Sequence, residues 1–158
     1  MIRSAVVLAL LAGSAQAHVM LQQKYAPAGS DYKAVFQVAH GCDGAATTGL
    51  RVIVPAGVTM AKPAARAGWK LDIETAADQR VTAVRWHGGT LPDTQFDEFA
   101  MLLSLPAEAG KLYFKVEQWC GKRKIGWTGI PVAGQAEPEH PAPVLELAPA
   151  AGSGHHHH

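Results

Sequence analysis

No basic run interleaved with aromatic residues supplies the electrostatic footprint that phosphate-backbone binding usually needs. No apolar run beyond residue 17 approaches the roughly 20 residues that cross a bilayer as a helix. The nucleophile elbow G-x-S-x-G, the zinc-binding H-E-x-x-H and a phosphate loop are absent, as is a recognisable pair of carboxylates, which leaves a hydrolytic enzyme without a motif. There is no internal repeat, and no segment carries the long apolar stripe of an amphipathic helix. Cysteine is limited to Cys42 and Cys120.

What is present begins with a leader. One basic residue, Arg3, precedes the apolar run Ala5 to Ala12 and the small-residue stretch Ala15-Gln16-Ala17. This is the pattern of a secretory signal peptide over residues 1–17, too short for an anchor, and cleavage after Ala17 makes His18 the mature amino terminus. At the other end, residues 151–158 have the composition of a linker and histidine tag. Without Arg3 the 14 basic residues fall to 13, matching the 13 acidic ones, so the mature chain is close to neutral. Residues 18–150 are the right length for a single domain. The expected location is exported and periplasmic, or on the extracytoplasmic surface.

An even cysteine count in an exported chain favours a disulfide between Cys42 and Cys120; a pair of thiolate metal ligands is the alternative. Period-two alternation is clearest in Tyr32 to Val38, where Tyr32, Ala34, Phe36 and Val38 share one face. Lys111 to Cys120 repeats it, with Leu112, Phe114, Val116 and Cys120 on one parity, and continuing the first strand carries His40 and Cys42 inward as well. Further strands are expected at Leu50 to Val54, Trp69 to Ile73, Val81 to Trp86, Phe96 to Leu103 and Val144 to Leu147. Pro55-Ala56-Gly57, Gly88-Gly89 and Pro92-Asp93 supply turns between them. Phe96 to Leu103 also fits a helix. From Pro131 to Pro143 the chain is rich in Pro, Ala and Glu, which suits an extended edge or tail. About seven short strands predict an all-β, immunoglobulin- or fibronectin-like sandwich with one internal disulfide.

His18 is the chemical starting point. Once freed, an amino-terminal histidine offers its α-amine and a ring nitrogen to the same metal, and divalent copper favours such nitrogen donors. The α-amine has an ordinary pKa near ~8, so its deprotonation costs little at neutral pH. The ordinary alternative is a frayed chain end.

Taken in order, the motifs His18-Val19, Ala28-Gly29-Ser30, Tyr32-Lys33-Ala34, His40-Gly41-Cys42-Asp43-Gly44 and Thr47-Thr48 resemble the YcnI-like family of exported copper-binding domains. The likeness continues through Lys62-Pro63, Gly68-Trp69-Lys70, Trp86 with Gly88-Gly89, Leu91-Pro92-Asp93 and Phe96-Asp97-Glu98-Phe99. It ends with Gln118-Trp119-Cys120, Trp127 and His140-Pro141-Ala142-Pro143. The resemblance implies an immunoglobulin-like sandwich that binds one copper(II) through a single-histidine brace, completed by a carboxylate and lying against a tryptophan. His18 matches the brace residue and Trp127 the tryptophan, although Trp127 also suits a core position.

Glu98 is the expected carboxylate, because on a regular strand it shares a face with Phe96, Ala100 and Leu102, where a charge needs a partner. A solvated glutamate on a bent strand or helix is the alternative. Gln22 stands where some members of that family carry an acidic residue. His40, His87 and His140 are rival ligands.

The resemblance implies uptake, storage or delivery of copper(II) without catalysis, with a periplasmic copper chaperone or a membrane copper transporter as partner. A histidine-brace copper oxygenase and a purely structural or adhesive module are the competing classes.

Overall fold

The alternation of apolar and polar residues is realised as twelve strands in the computed structural model, which describes residues 18–150. The leader expected at 1–17 and the linker and tag expected at 151–158 lie outside the described residues. The strands are β1 (Met20–Leu21), β2 (Tyr25–Pro27), β3 (Asp31–Val38), β4 (Thr47–Ile53), β5 (Met60–Pro63) and β6 (Lys70–Thr75). They continue with β7 (Val81–Leu91), β8 (Asp97–Ser104), β9 (Gly110–Tyr113), β10 (Val116–Cys120), β11 (Arg123–Trp127) and β12 (Val144–Ala148). Among the described residues no helix is long and apolar enough to cross a membrane.

Three sheets form, ordered β1-β3-β8-β5, β11-β10-β4-β7-β6 and β2-β12-β9. The pairings are antiparallel except β12 with β2. The amino-terminal segment therefore belongs to two sheets: β1 pairs with β3, Met20 opposite Gln37, while β2 runs parallel to β12.

Tyr32, Ala34, Phe36 and Val38 all face the core, as their parity predicts. There Phe36 meets Phe114 edge to face at 5.4 Å, and Phe99 lies between Trp69 at 5.0 Å and Trp86 at 5.5 Å. Phe36, Phe114, Phe99 and Trp86 are fully buried, and each such ring stabilises the fold by about 1.5–3 kcal/mol through burial, to which edge-on contacts add. The Trp86 indole keeps a partner by donating to the Ala64 carbonyl at 3.0 Å.

Cys42 and Cys120 are joined in a disulfide. It ties the end of β10 to a tight turn in which the Cys42 and Ala45 backbones exchange hydrogen bonds of 3.0 Å. Gly41 begins that turn because a Cβ there would collide with the Ala45 carbonyl.

Four features differ from the sequence expectation. The run Lys111 to Cys120 is two strands, since the chain changes sheets at Phe114, whose amide donates to the Pro143 carbonyl at 2.8 Å. Gly88-Gly89 is inside β7 rather than between strands. Gly88 takes a positive φ of 75°, and the Trp69 ring occupies the space a Gly89 side chain would need. Phe96 to Leu103 is extended, but Phe99, Met101 and Leu103 form its buried face, while Phe96 is 68% exposed. The strands β1, β2, β5 and β11 are additional to those expected, and β1 and β2, at two and three residues, are too short for a periodic signal.

Candidate metal centre

His18 immediately precedes β1, and burial alternates from it: His18 is half-buried, Val19 buried, Met20 exposed and Leu21 buried. That alternation turns His18 and Met20 to one side of the strand and anchors the other side in the core. The His18 ring lies 5.7 Å from the Trp127 ring, tilted by 50°. Trp127 ends β11 and is itself buried.

Trp127 is fixed by a short polar chain. Its indole nitrogen donates to Gln118 Oε1 at 3.0 Å. An indole can only donate, so the Gln118 oxygen must face it and the amide nitrogen must point away. That nitrogen donates to Thr47 Oγ1 at 2.7 Å and to the His40 carbonyl at 2.9 Å. Gln118 and Thr47 are the buried polar side chains among the described residues, and each finds partners, as burial requires. The chain thus runs from Trp127 to the segment that carries Cys42.

His140 packs on the same indole, its ring 5.1 Å from Trp127 in an edge-to-face arrangement. Its carbonyl accepts from the Thr128 and Gly129 amides at 3.1 and 2.8 Å, and Ala142 donates back to Gly129 at 2.8 Å. These bonds close the base of the segment 130–139, so the stretch expected as an edge or tail is a loop whose two ends meet at the indole. The Nδ1 atom of His140 is buried without a hydrogen-bond partner.

His18 also lines a cavity of about 230 Å³. Val19, Met20 and Leu21 share one wall with it, Pro141 to Val144 form the other, and Lys24 contributes the only ordinary charged side chain. The lining is mostly apolar.

Glu98 is elsewhere. It stands opposite Gln37 on β8, and its Oε1 accepts from Gln37 Nε2 at 3.0 Å. It lines a separate cavity with Arg66, Asp97 and Phe96, where Arg66 bridges to Asp97 and donates to the Glu98 carbonyl at 2.7 Å. The expected shared face with Phe96 and Leu102 is the outer face of the sheet, which removes the reason for giving Glu98 a buried partner. Since Gln37 itself stands between Glu98 on β8 and Met20 on β1, the carboxylate is two strands away from the His18 segment.

His87 lies 3.0 Å from Asp72 on β6. His40 uses Nδ1 to donate to the Gly41 carbonyl at 2.7 Å, and its own carbonyl receives Gln118. Among the described residues no three His, Cys, Asp or Glu side chains converge as a ready-made ligand group. The structure therefore brings together His18, Trp127 and His140, and adds Gln118 and Thr47 behind them. Gln118 had a visible signal, because it shares the parity of Val116 and Cys120.

The model of a family described as Domain of unknown function (DUF1775) matches residues 18–147. The chain belongs to this family. Consistent with a DUF1775 domain spanning the whole sandwich, an uncharacterized protein from Nocardia farcinica, described as having an immunoglobulin-like fold, is 30% identical with a TM-score of 0.72. That alignment covers 83% of this chain and 98% of the other. The human F-spondin reeler domain shares the fold alone, at 11% identity and a TM-score of 0.50, over 84% of this chain and 93% of that one. No curated protein matches this DUF1775 chain.

Proposed function

We propose that this domain is an exported, periplasmic copper(II)-binding protein whose mature chain begins at His18 and that takes up, stores or hands on copper without catalysis. The observation that carries this reading is the His18 ring held at 5.7 Å from Trp127, on a strand anchored by Val19 and Leu21. A frayed chain end has no such anchor.

After cleavage, the His18 α-amine and ring nitrogen supply two donors from one residue, in the tetragonal nitrogen pattern that copper(II) favours. Trp127 shields one side of the ring, and the loop bearing His140 supports the indole from another. No carboxylate lines the His18 cavity among the described residues, and the donors this reading rests on are the two nitrogens of His18. Glu98 lines a separate cavity and is not among those donors. A copper chaperone or a membrane copper transporter is the natural partner for such cargo.

The test is a copper(II) titration with electron paramagnetic resonance on tag-free protein beginning at His18, beside the same protein with one extra leading alanine. A single nitrogen-rich site lost in the extended form is expected. Identical binding in both forms would return the domain to a structural or adhesive role.

A further inference from the structure

We infer that Met20 gives the His18 site a thioether donor for monovalent copper, so that one pocket holds the ion in its reduced as well as its oxidised state; this rests on the amino-terminal copper site proposed above. Met20 is 42% exposed, an unusual position for a large apolar side chain on a strand whose neighbours Val19 and Leu21 are buried. It lines the same 230 Å³ cavity as His18. The burial alternation places both residues on one side of β1, two positions apart.

The cavity's chemistry also suits the softer ion. Its other walls are Val19, Leu21 and the Pro141 to Val144 segment, and the charged group it contains is Lys24, a cation. A divalent ion held here keeps water on its open positions, because burying unbalanced charge is costly. A monovalent d¹⁰ ion carries half that charge, and soft thioether sulfur is the protein donor, besides thiolate, that prefers it. Imidazole and amine nitrogens of His18 with the Met20 sulfur make a neutral three-donor set, which suits copper(I) without any carboxylate. Met60 and Met101, on β5 and β8, do not line this cavity.

The experiment compares protein starting at His18 with its Met20→Leu variant, a volume-conserving change that deletes only the sulfur. Copper(I) affinity is read anaerobically by competition with a chromogenic copper(I) chelator, and copper(II) affinity by titration. Met20→Leu should weaken copper(I) by about tenfold or more relative to its effect on copper(II), where tenfold corresponds to about 1.4 kcal/mol. Met60→Leu should leave both affinities at the wild-type value. X-ray absorption of the copper(I)-loaded wild type should show one sulfur scatterer that Met20→Leu lacks.

Equal loss of both ions in Met20→Leu, or copper(I) spectra without sulfur, overturns the thioether role. The amino-terminal brace is judged separately, by the copper(II) affinity of the alanine-extended chain. A brace that survives that test beside a sulfur-free copper(I) spectrum sinks Met20 alone. A wild type with no tight site for either ion sinks both.

Discussion

Gln118 Oε1 accepts the Trp127 indole hydrogen at 3.0 Å in a part of the core where both residues are buried. The same amide reaches Thr47 and the His40 carbonyl. The orientation of the indole beside His18 is thereby set from behind.

Gln118→Met keeps the volume but orphans the indole N–H and the His40 carbonyl. Each orphaned buried group costs about 1–3 kcal/mol, so urea unfolding should show a loss in that range or above. A loss below about 0.5 kcal/mol would mean that water or a rotated Thr47 replaces the amide.

His140→Ala tests whether the second ring on the indole is a ligand or a support. His140 does not line the cavity that His18 lines, so its removal should lower stability by about 1 kcal/mol while changing copper(II) affinity by less than about threefold. A loss of about a hundredfold in affinity would make His140 a ligand.

The disulfide closes a sequence separation of 78 residues. Replacing Cys42 and Cys120 together by alanine should destabilise the domain by about 2–5 kcal/mol, measured by urea unfolding with the slope fitted separately for each protein. A shift near zero would place residual structure in the unfolded chain.

Tyr32 predicts an alkaline limit. Its hydroxyl donates to the Gln23 carbonyl at 2.6 Å, between β1 and β2, and burial pushes its pKa from 10.0 up to about 12. A phenol whose folded pKa is raised contributes stability that is complete below its unfolded value and lost as pH rises through the folded one. Stability should therefore fall between pH 10 and about 12 in the native protein, and this part of the fall should vanish in Tyr32→Phe. Parallel curves for the two proteins across that window would contradict it.

The sandwich and its long strands were legible in the sequence because period-two alternation survives wherever one face packs and the other meets solvent. Tyr32 to Val38 is the clear case. Where a strand is two or three residues long, as β1 and β2 are, no period can be read, and only the sheet partners explain the structure. Glu98 misled for a related reason: counting parity from Phe96 assumed the aromatic was inside, whereas Phe99, three positions later and of opposite parity, fills the core against Trp69 and Trp86. The approach of His18 to Trp127 spans 109 positions of numbering and depends on tertiary packing, so spacing alone carries no trace of it; the family resemblance supplied that pairing. His140 and Gln118 join the same site through contacts equally remote in sequence.

Because His18 leads into the edge strand of one sheet and Trp127 ends the edge strand of another, the two rings meet only when the sandwich is shut. The ion proposed at His18 would then act as a latch across the seam. By mass action a ligand confined to the closed chain adds about 2.7 kcal/mol at a hundredfold excess over its dissociation constant. Under the proposed function, cargo loading and resistance to unfolding would be one quantity, and a carrier that had delivered its ion would also be the carrier most readily cleared.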